Sequence, residues 1–285
     1  MKRNISEHKQ LHAKLQGKVP SHLLKYLPHR LWKLGDITII PIPEELKEYK
    51  VEIGQQLLKI EKKQTRTILG KIGPTTGVMR KPQFEVIAGE RNTVTTFKEL
   101  GCWFKIDAAK LTFSPGNHAE RKRLIELARK NEVIIDLFAC IGNLSLPIAV
   151  HNQPKKVFAT EINPIAYHYL KESIALNKIE DRIEAFLGDN RQLFGQQIKL
   201  ADRVISGYLK SDWQQIVLAV QLCKKGGVVH YHEATPTNKS VTNRPVERLK
   251  KAGLELKREV TILEKRTIKP YAPGIDHVVV DAEIH

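Results

Sequence analysis

The chain has 285 residues, 41% hydrophobic and 27% charged, enough for one large core or two ordinary ones. No window approaches the ~18 apolar residues of a membrane span, and "MKRNISEHKQ" lacks the apolar stretch of a secretory leader, which predicts a cytoplasmic protein without a membrane partner. The 47 Lys and Arg against 31 Asp and Glu leave a formal charge of +16, which exceeds what solubility requires and points to a polyanionic partner.

The excess is denser early in the chain: residues 1–110 hold 21 basic and 11 acidic side chains, and residues 111–285 hold 26 and 20. Residues 1–34 read as a basic, mostly amphipathic helical segment that lies on RNA or packs on the domain behind it. Then "GDITIIPI" (35–42) predicts a strand, 43–61 an amphipathic helix, and "TRTILGKI" and "FEVIAGE" two further short strands. Residues 35–112 therefore form a small α+β domain, bounded by "FSPGNHAERKR" at 113–123.

From 113 to 285 strands and helices alternate, which implies parallel strands with helical crossovers. "EVIIDLF" (132–138), "KVFATEI" (156–162), "IEAFLGD" (183–189), "DRVISGY" (202–208) and "GGVVHYHEA" (226–234) are the candidate strands. Residues 164–179 and 211–226 are helical, and 254–266 and 277–285 read as two longer strands joined by "TIKPYAPGID", an antiparallel closure of the sheet.

In such sheets ligands bind at the carboxyl ends of the strands, where the strand order reverses. Asp136 ends the first strand in the small-residue turn that runs to Gly142, where a ligand can approach the backbone closely. Glu161 follows 25 residues later, the distance at which an acid takes a ribose diol. Asp189 and Asn190 end the third strand, where an Asp accepts from an exocyclic amine of adenine. The turn has neither G-x-G-x-x-G nor G-x-x-x-x-G-K-[ST], so a nucleoside without phosphates fits better, and S-adenosylmethionine is the common one.

Ser114 opens a turn and helix start, and Arg121 follows two helical turns later, so free N–H groups and a cation suit a carboxylate there. His230 and His232 share a strand face, but with only Glu233 nearby no metal site is expected. Cys102, Cys140 and Cys223 lie far apart and read as reduced thiols.

Taken together, "GCWFKIDAAKLTFSPGNHAERKR", "DLFACIGNLSLPIAV", "EINPIAYHYLKESIALNK", "DNR", "GGVVHYHEATP" and "YAPGIDHVVVD" resemble enzymes with a class I methyltransferase fold that act at tRNA position 37. Two sister families share these motifs, the tRNA guanine-N1 methyltransferases and the archaeal-type tRNA wybutosine-synthesizing protein 2 family. Where the methyltransferases end the fourth strand in Asn-Pro-Pro or Asn-Leu-Pro, this chain has Ser206-Gly207-Tyr208, which looks like the wybutosine branch.

The resemblance implies a Rossmann-like, doubly wound α/β sheet with an antiparallel last strand, preceded by a tRNA-binding α+β domain. It implies transfer of the 3-amino-3-carboxypropyl group of S-adenosylmethionine to C7 of 4-demethylwyosine in tRNA(Phe). It places Ser114 and Arg121 near the methionine end, Glu161 on the ribose, and Asp189 with Asn190 at the adenine. Tyr208 is a candidate contact to the base, and no catalytic acid or base is assigned. Cys140 stands where the family usually has Gly. A guanine-N1 methyltransferase and a non-catalytic RNA-binding protein are the alternatives.

Overall fold

The computed structural model describes residues 2–61, 63–237 and 243–285, with side chains from residue 7 onward. The chain divides into two compact units, Met1–Glu99 with Trp103–Phe113, and Leu100–Cys102 with Ser114–His285.

In the first unit, α1 (Lys2–Leu15) and a 3-10 turn (Ser21–Tyr26) lead into β1 (Trp32–Leu34) and β2 (Ile37–Pro41). Leu11, Leu15, Val19, Leu24 and Leu27 join the same apolar core as Ile40, Ile53 and Ile68, so the basic N-terminal segment packs on its own domain through its apolar face. The predicted helix over 43–61 is two pieces, a 3-10 turn (Glu44–Tyr49) and α2 (Lys50–Glu61). The tighter pitch stacks Leu46 and Tyr49, three residues apart, against that core.

The helix α2 is the crossover between parallel strands β2 and β3 (Thr67–Thr76), and β4 (Lys81–Gly89) pairs antiparallel with β3. A two-stranded hairpin follows, β5 (Val94–Glu99) with β6 (Cys102–Asp107), which the residue pattern did not single out.

The second unit begins with a 3-10 turn (Pro115–Asn117) and α3 (His118–Leu127), then alternates β7 (Val133–Asp136), α4 (Ser145–Asn152), β8 (Lys156–Glu161), α5 (Pro164–Asn177), β9 (Ile183–Leu187), α6 (Asn190–Phe194), β10 (Ala201–Ser206) and α7 (Trp213–Leu222). It closes with β11 (Cys223–Pro236), α8 (Arg244–Glu255), β12 (Val260–Ala272) and β13 (Ile275–Ile284). The seven strands lie in the order β12-β13-β11-β10-β7-β8-β9, and β13 alone runs antiparallel to its neighbours. This is the Rossmann-like doubly wound sheet expected, and the order reverses between β7 and β10.

Two expectations near the end need correction. The strand placed at 254–266 begins at Val260, because α8 runs to Glu255 and closes where Arg258 donates its N–H to Gly253 O at 2.8 Å. The alternation Leu254-Glu255-Leu256-Lys257 imitates a strand, yet Leu249, Ala252 and Gly253 bury at helical spacing. The joining loop at 267–276 is largely strand: β12 continues to Ala272, with register shifts around Lys269 and Pro270. A proline inside a sheet belongs at such a bulge because it has no N–H to give.

No helix of the described residues is long and apolar enough to cross a membrane.

Candidate functional site

Register brings the ends of β7 and β10 together, with Ile205 opposite Asp136 and Leu137 donating its N–H to Ile205 O at 3.0 Å. Asp136 is 1% exposed, and burial pushes its carboxyl up to about 6. Phe138 N–H donates to its Oδ1 at 3.2 Å, while Oδ2 has no hydrogen-bond partner.

The loop behind Asp136 folds onto the next strand end. Glu161 accepts the Cys140 N–H on Oε2 and the Asn163 N–H on Oε1, both at 2.7 Å. Burial raises its carboxyl above the usual range, and the Asp136 charge adds to the shift. Each carboxylate oxygen has a second lone pair, so Glu161 retains capacity for a diol. Cys140 holds φ at +54°, the left-handed region that favours glycine, which accounts for Gly at this position in the families resembled. Burial first, then the Glu161 charge, pushes the thiol up to about 12, so it is an inert packing group.

At the third strand end Asp189 caps α6 by accepting the Arg191 N–H on Oδ1 at 2.9 Å. Arg191 also pairs with the Asp189 carboxylate through its side chain, which holds that carboxyl below its ordinary value. Asn190 is 4% exposed and donates from Nδ2 to Leu137 O at 2.8 Å, with Oδ1 unpartnered. It therefore ties this turn to the β7 end.

The turn before α3 brings its two predicted residues together: Arg121, 1% exposed, donates from Nη2 to Ser114 O at 3.1 Å. Lys269 from the bulge of β12 meets Ser114 Oγ, and a Cβ at Gly116 would lie 2.9 Å from Lys269 Cδ. Sequence reasoning missed Lys269 because it sat in a presumed loop. The Pro beside it was the signal for a bulged edge.

Tyr208 is half-buried with its ring 5.3 Å from that of Phe138, so two aromatic rings flank the switch point. Among the described residues no group of three or more His, Cys, Asp or Glu suits a metal ion. Cys102, Cys140 and Cys223 form no disulfide.

Asp136 Oδ2, Asn190 Oδ1 and Ser206 Oγ are buried oxygens without partners, all at adjoining strand or helix ends. Three unsatisfied oxygens gathered at the strand-order reversal make this crevice suited to a ligand that brings donors, as the hydroxyls and amines of S-adenosylmethionine would.

The description "TRM5/TYW2 methyltransferase domain" matches residues 95–262, and "TYW2 N-terminal domain" matches residues 11–93. A protein of Pyrococcus horikoshii named tRNA(Phe) (4-demethylwyosine(37)-C(7)) aminocarboxypropyltransferase is 39% identical over 95% of this chain and 94% of its own length. The tRNA (guanine(37)-N(1))-methyltransferase Trm5b of Pyrococcus abyssi is 35% identical over 93% of this chain and 78% of its own. The crystal structure of P. horikoshii TYW2 in complex with MeSAdo superposes with a TM-score of 0.82 at 36% identity, covering 97% of this chain and 98% of that one. With a switch-point crevice suited to a nucleoside and both halves of the chain matched, the protein belongs to the TRM5/TYW2 family of S-adenosylmethionine-dependent enzymes.

Proposed function

We propose that this chain transfers the 3-amino-3-carboxypropyl group of S-adenosylmethionine to C7 of 4-demethylwyosine at position 37 of tRNA(Phe), releasing 5′-methylthioadenosine. The carrying observation is the 39% identity, over nearly the whole of both chains, to an aminocarboxypropyltransferase of that name. The Ser206-Gly207-Tyr208 end of β10, in place of Asn-Pro-Pro, supports the same branch.

S-adenosylmethionine supplies a sulfonium whose attached carbons are open to displacement, the one in line with the nucleophile being transferred. The residues of this chain need only bind and aim. Arg121 and the turn at Ser114 hold the methionine carboxylate, Glu161 accepts from the ribose, and Asp189 with Asn190 frames the adenine. Asp136, at the centre of these ends, offers its unpartnered Oδ2 to a donor of the cofactor. Tyr208 beside Phe138 gives the modified base a flat apolar face. Because the charge on sulfur is neutralised as the bond to C7 forms, positioning carries most of the rate, and no residue is assigned as base. The C7 proton passes to water.

Residues 1–34 and 35–112 hold the tRNA in this reading, and 113–285 form the catalytic domain. The protein works in the cytoplasm, alongside its tRNA.

Incubating the protein with labelled S-adenosylmethionine and tRNA(Phe) bearing the precursor base is the test. Labelled modified tRNA with 5′-methylthioadenosine supports the reading, and S-adenosylhomocysteine sinks it. The 35% identity to Trm5b favours a second reading, guanine-N1 methylation, which gives S-adenosylhomocysteine in the same assay.

A further inference from the structure

Strand β11 carries His230, Tyr231, His232 and Glu233, and alternation turns Tyr231 and Glu233 to the face opposite the histidines. Glu233 is 1% exposed, a carboxylate that is buried only because it is fully paired. Arg244 and Arg248 from α8 bind its two oxygens, the latter at 2.9 Å from Oε2, and the Tyr231 hydroxyl donates to it. Burial and the Glu233 charge push the Tyr231 phenol up, so it remains a donor.

The same Arg248 reaches the loop behind β10. Its Nη2 donates to Ser211 O at 3.1 Å, and Ser211 Oγ donates to Tyr208 O at 2.9 Å. From the other side Ala234 N–H donates to Leu209 O at 3.0 Å, and Arg244 Nη2 donates to Ala234 O at 2.7 Å. One buried carboxylate thus orients two guanidinium groups: Arg248 holds the loop directly at Ser211, and Arg244 holds Ala234, whose N–H meets Leu209, so the segment just after Tyr208 is fixed at two points.

We propose that Glu233 and Arg248 are positioning residues that set Tyr208 at the crevice, so that the modified base meets the donor carbon in line. This rests on the functional reading above and deepens it: the loop that distinguishes the two branches of the family is held by an ion-pair network on the far face of β11. Displacements of about 1 Å in reacting groups cost up to ~100-fold in rate. The network bears on the Tyr208 loop at Ser211, while Asp212 beside it pairs with Arg191 of the Asp189 turn at 2.7 Å, so kcat and donor affinity are read separately to tell the transfer step from donor binding.

The test uses the full chain, tRNA(Phe) with the precursor base, and the variants Arg248→Met and Ser211→Ala. The expected result for Arg248→Met is a fall in kcat of about tenfold or more with the Kd for S-adenosylmethionine, by calorimetry, within about twofold of wild type. Ser211→Ala, which removes only the hydroxyl, shifts kcat in the same direction by a few-fold, and it carries the test if Arg248→Met shows no cooperative unfolding. Unchanged kcat in Ser211→Ala and in a folded Arg248→Met overturns the proposal. So does a parallel loss of kcat and donor affinity, the mark of general disruption. If the wild-type chain releases no 5′-methylthioadenosine, the functional reading itself fails, which is seen before any variant is compared.

Discussion

The Cys140 N–H points at Glu161 Oε2 from 2.7 Å, so a left-handed residue in the first loop and an acid at the second strand end act as one unit. The loop has to turn back at φ +54° to aim that N–H, and the N–H in turn orients the carboxylate. Any side chain at position 140 bears the conformational cost of this arrangement.

Cys140→Gly should therefore stabilise the protein. A non-glycine residue in the left-handed region costs roughly 1–2 kcal/mol, offset by about 0.5–1 kcal/mol of extra chain entropy for glycine. The net gain, on the order of 0.5–1 kcal/mol, appears as a Tm rise of about 2 °C in a calorimetric scan. Cys140→Ala retains the strained φ and shows no such rise.

Glu161→Ala should weaken S-adenosylmethionine binding while the fold persists. Hydrogen bonds to a charged acceptor are worth about 1.5–3 kcal/mol, or roughly 10- to 100-fold in Kd by titration calorimetry. An unchanged Kd removes Glu161 from the ribose.

Acid should destabilise the second unit through its buried histidines. Burial pushes His232 down to about 4 and His277 down to about 3, and the two share a hydrogen bond of 2.8 Å between His232 Nδ1 and His277 Nε2. With folded values below the unfolded 6.5, their contribution is complete above pH ~6.5 and is lost as pH falls toward ~4. Tm measured from pH 7 down to 4 should drop, and His277→Gln should flatten the drop.

Asp136 runs the other way. Its folded value of about 6 lies above the ordinary 3.8, so its contribution is present below pH ~4 and lost as pH rises through 6. Asp136→Asn should raise Tm at pH 8 by a few degrees relative to pH 5, while weakening donor binding. An equal effect at both pH values denies the buried, ionised carboxylate.

A net charge of +16 makes tRNA binding an electrolyte effect. Affinity measured by filter binding should fall by roughly tenfold or more between about 50 and about 200 mM salt, through release of counterions from the phosphates. A flat dependence contradicts the electrostatic reading of this excess.

Much of the crevice was legible in advance because apolar runs ending in an acid or amide mark strand ends, and Asp136, Glu161, Asp189 and Asn190 all lie there. Spacing also joined Arg121 to Ser114, since two helical turns bring a side chain back to one face. Illegible were the partners that arrive across the sheet: Lys269 at Ser114 lies 155 residues away, and Arg248 reaches Ser211 across 37. Asp189 also proved to be held by Arg191, a local pairing that a motif reading passes over.

By itself the sequence determined the alternation of strands and helices, the basic charge and the family, because periodicity and local motifs are properties of neighbours along the chain. Only the tertiary structure decided that β13 inserts between β11 and β12, that the Cys140 N–H meets Glu161 Oε2, and that Arg248 joins Glu233 to Ser211 of the loop after Tyr208. These are long-range pairings, set by which groups must be satisfied when two distant segments are buried against each other.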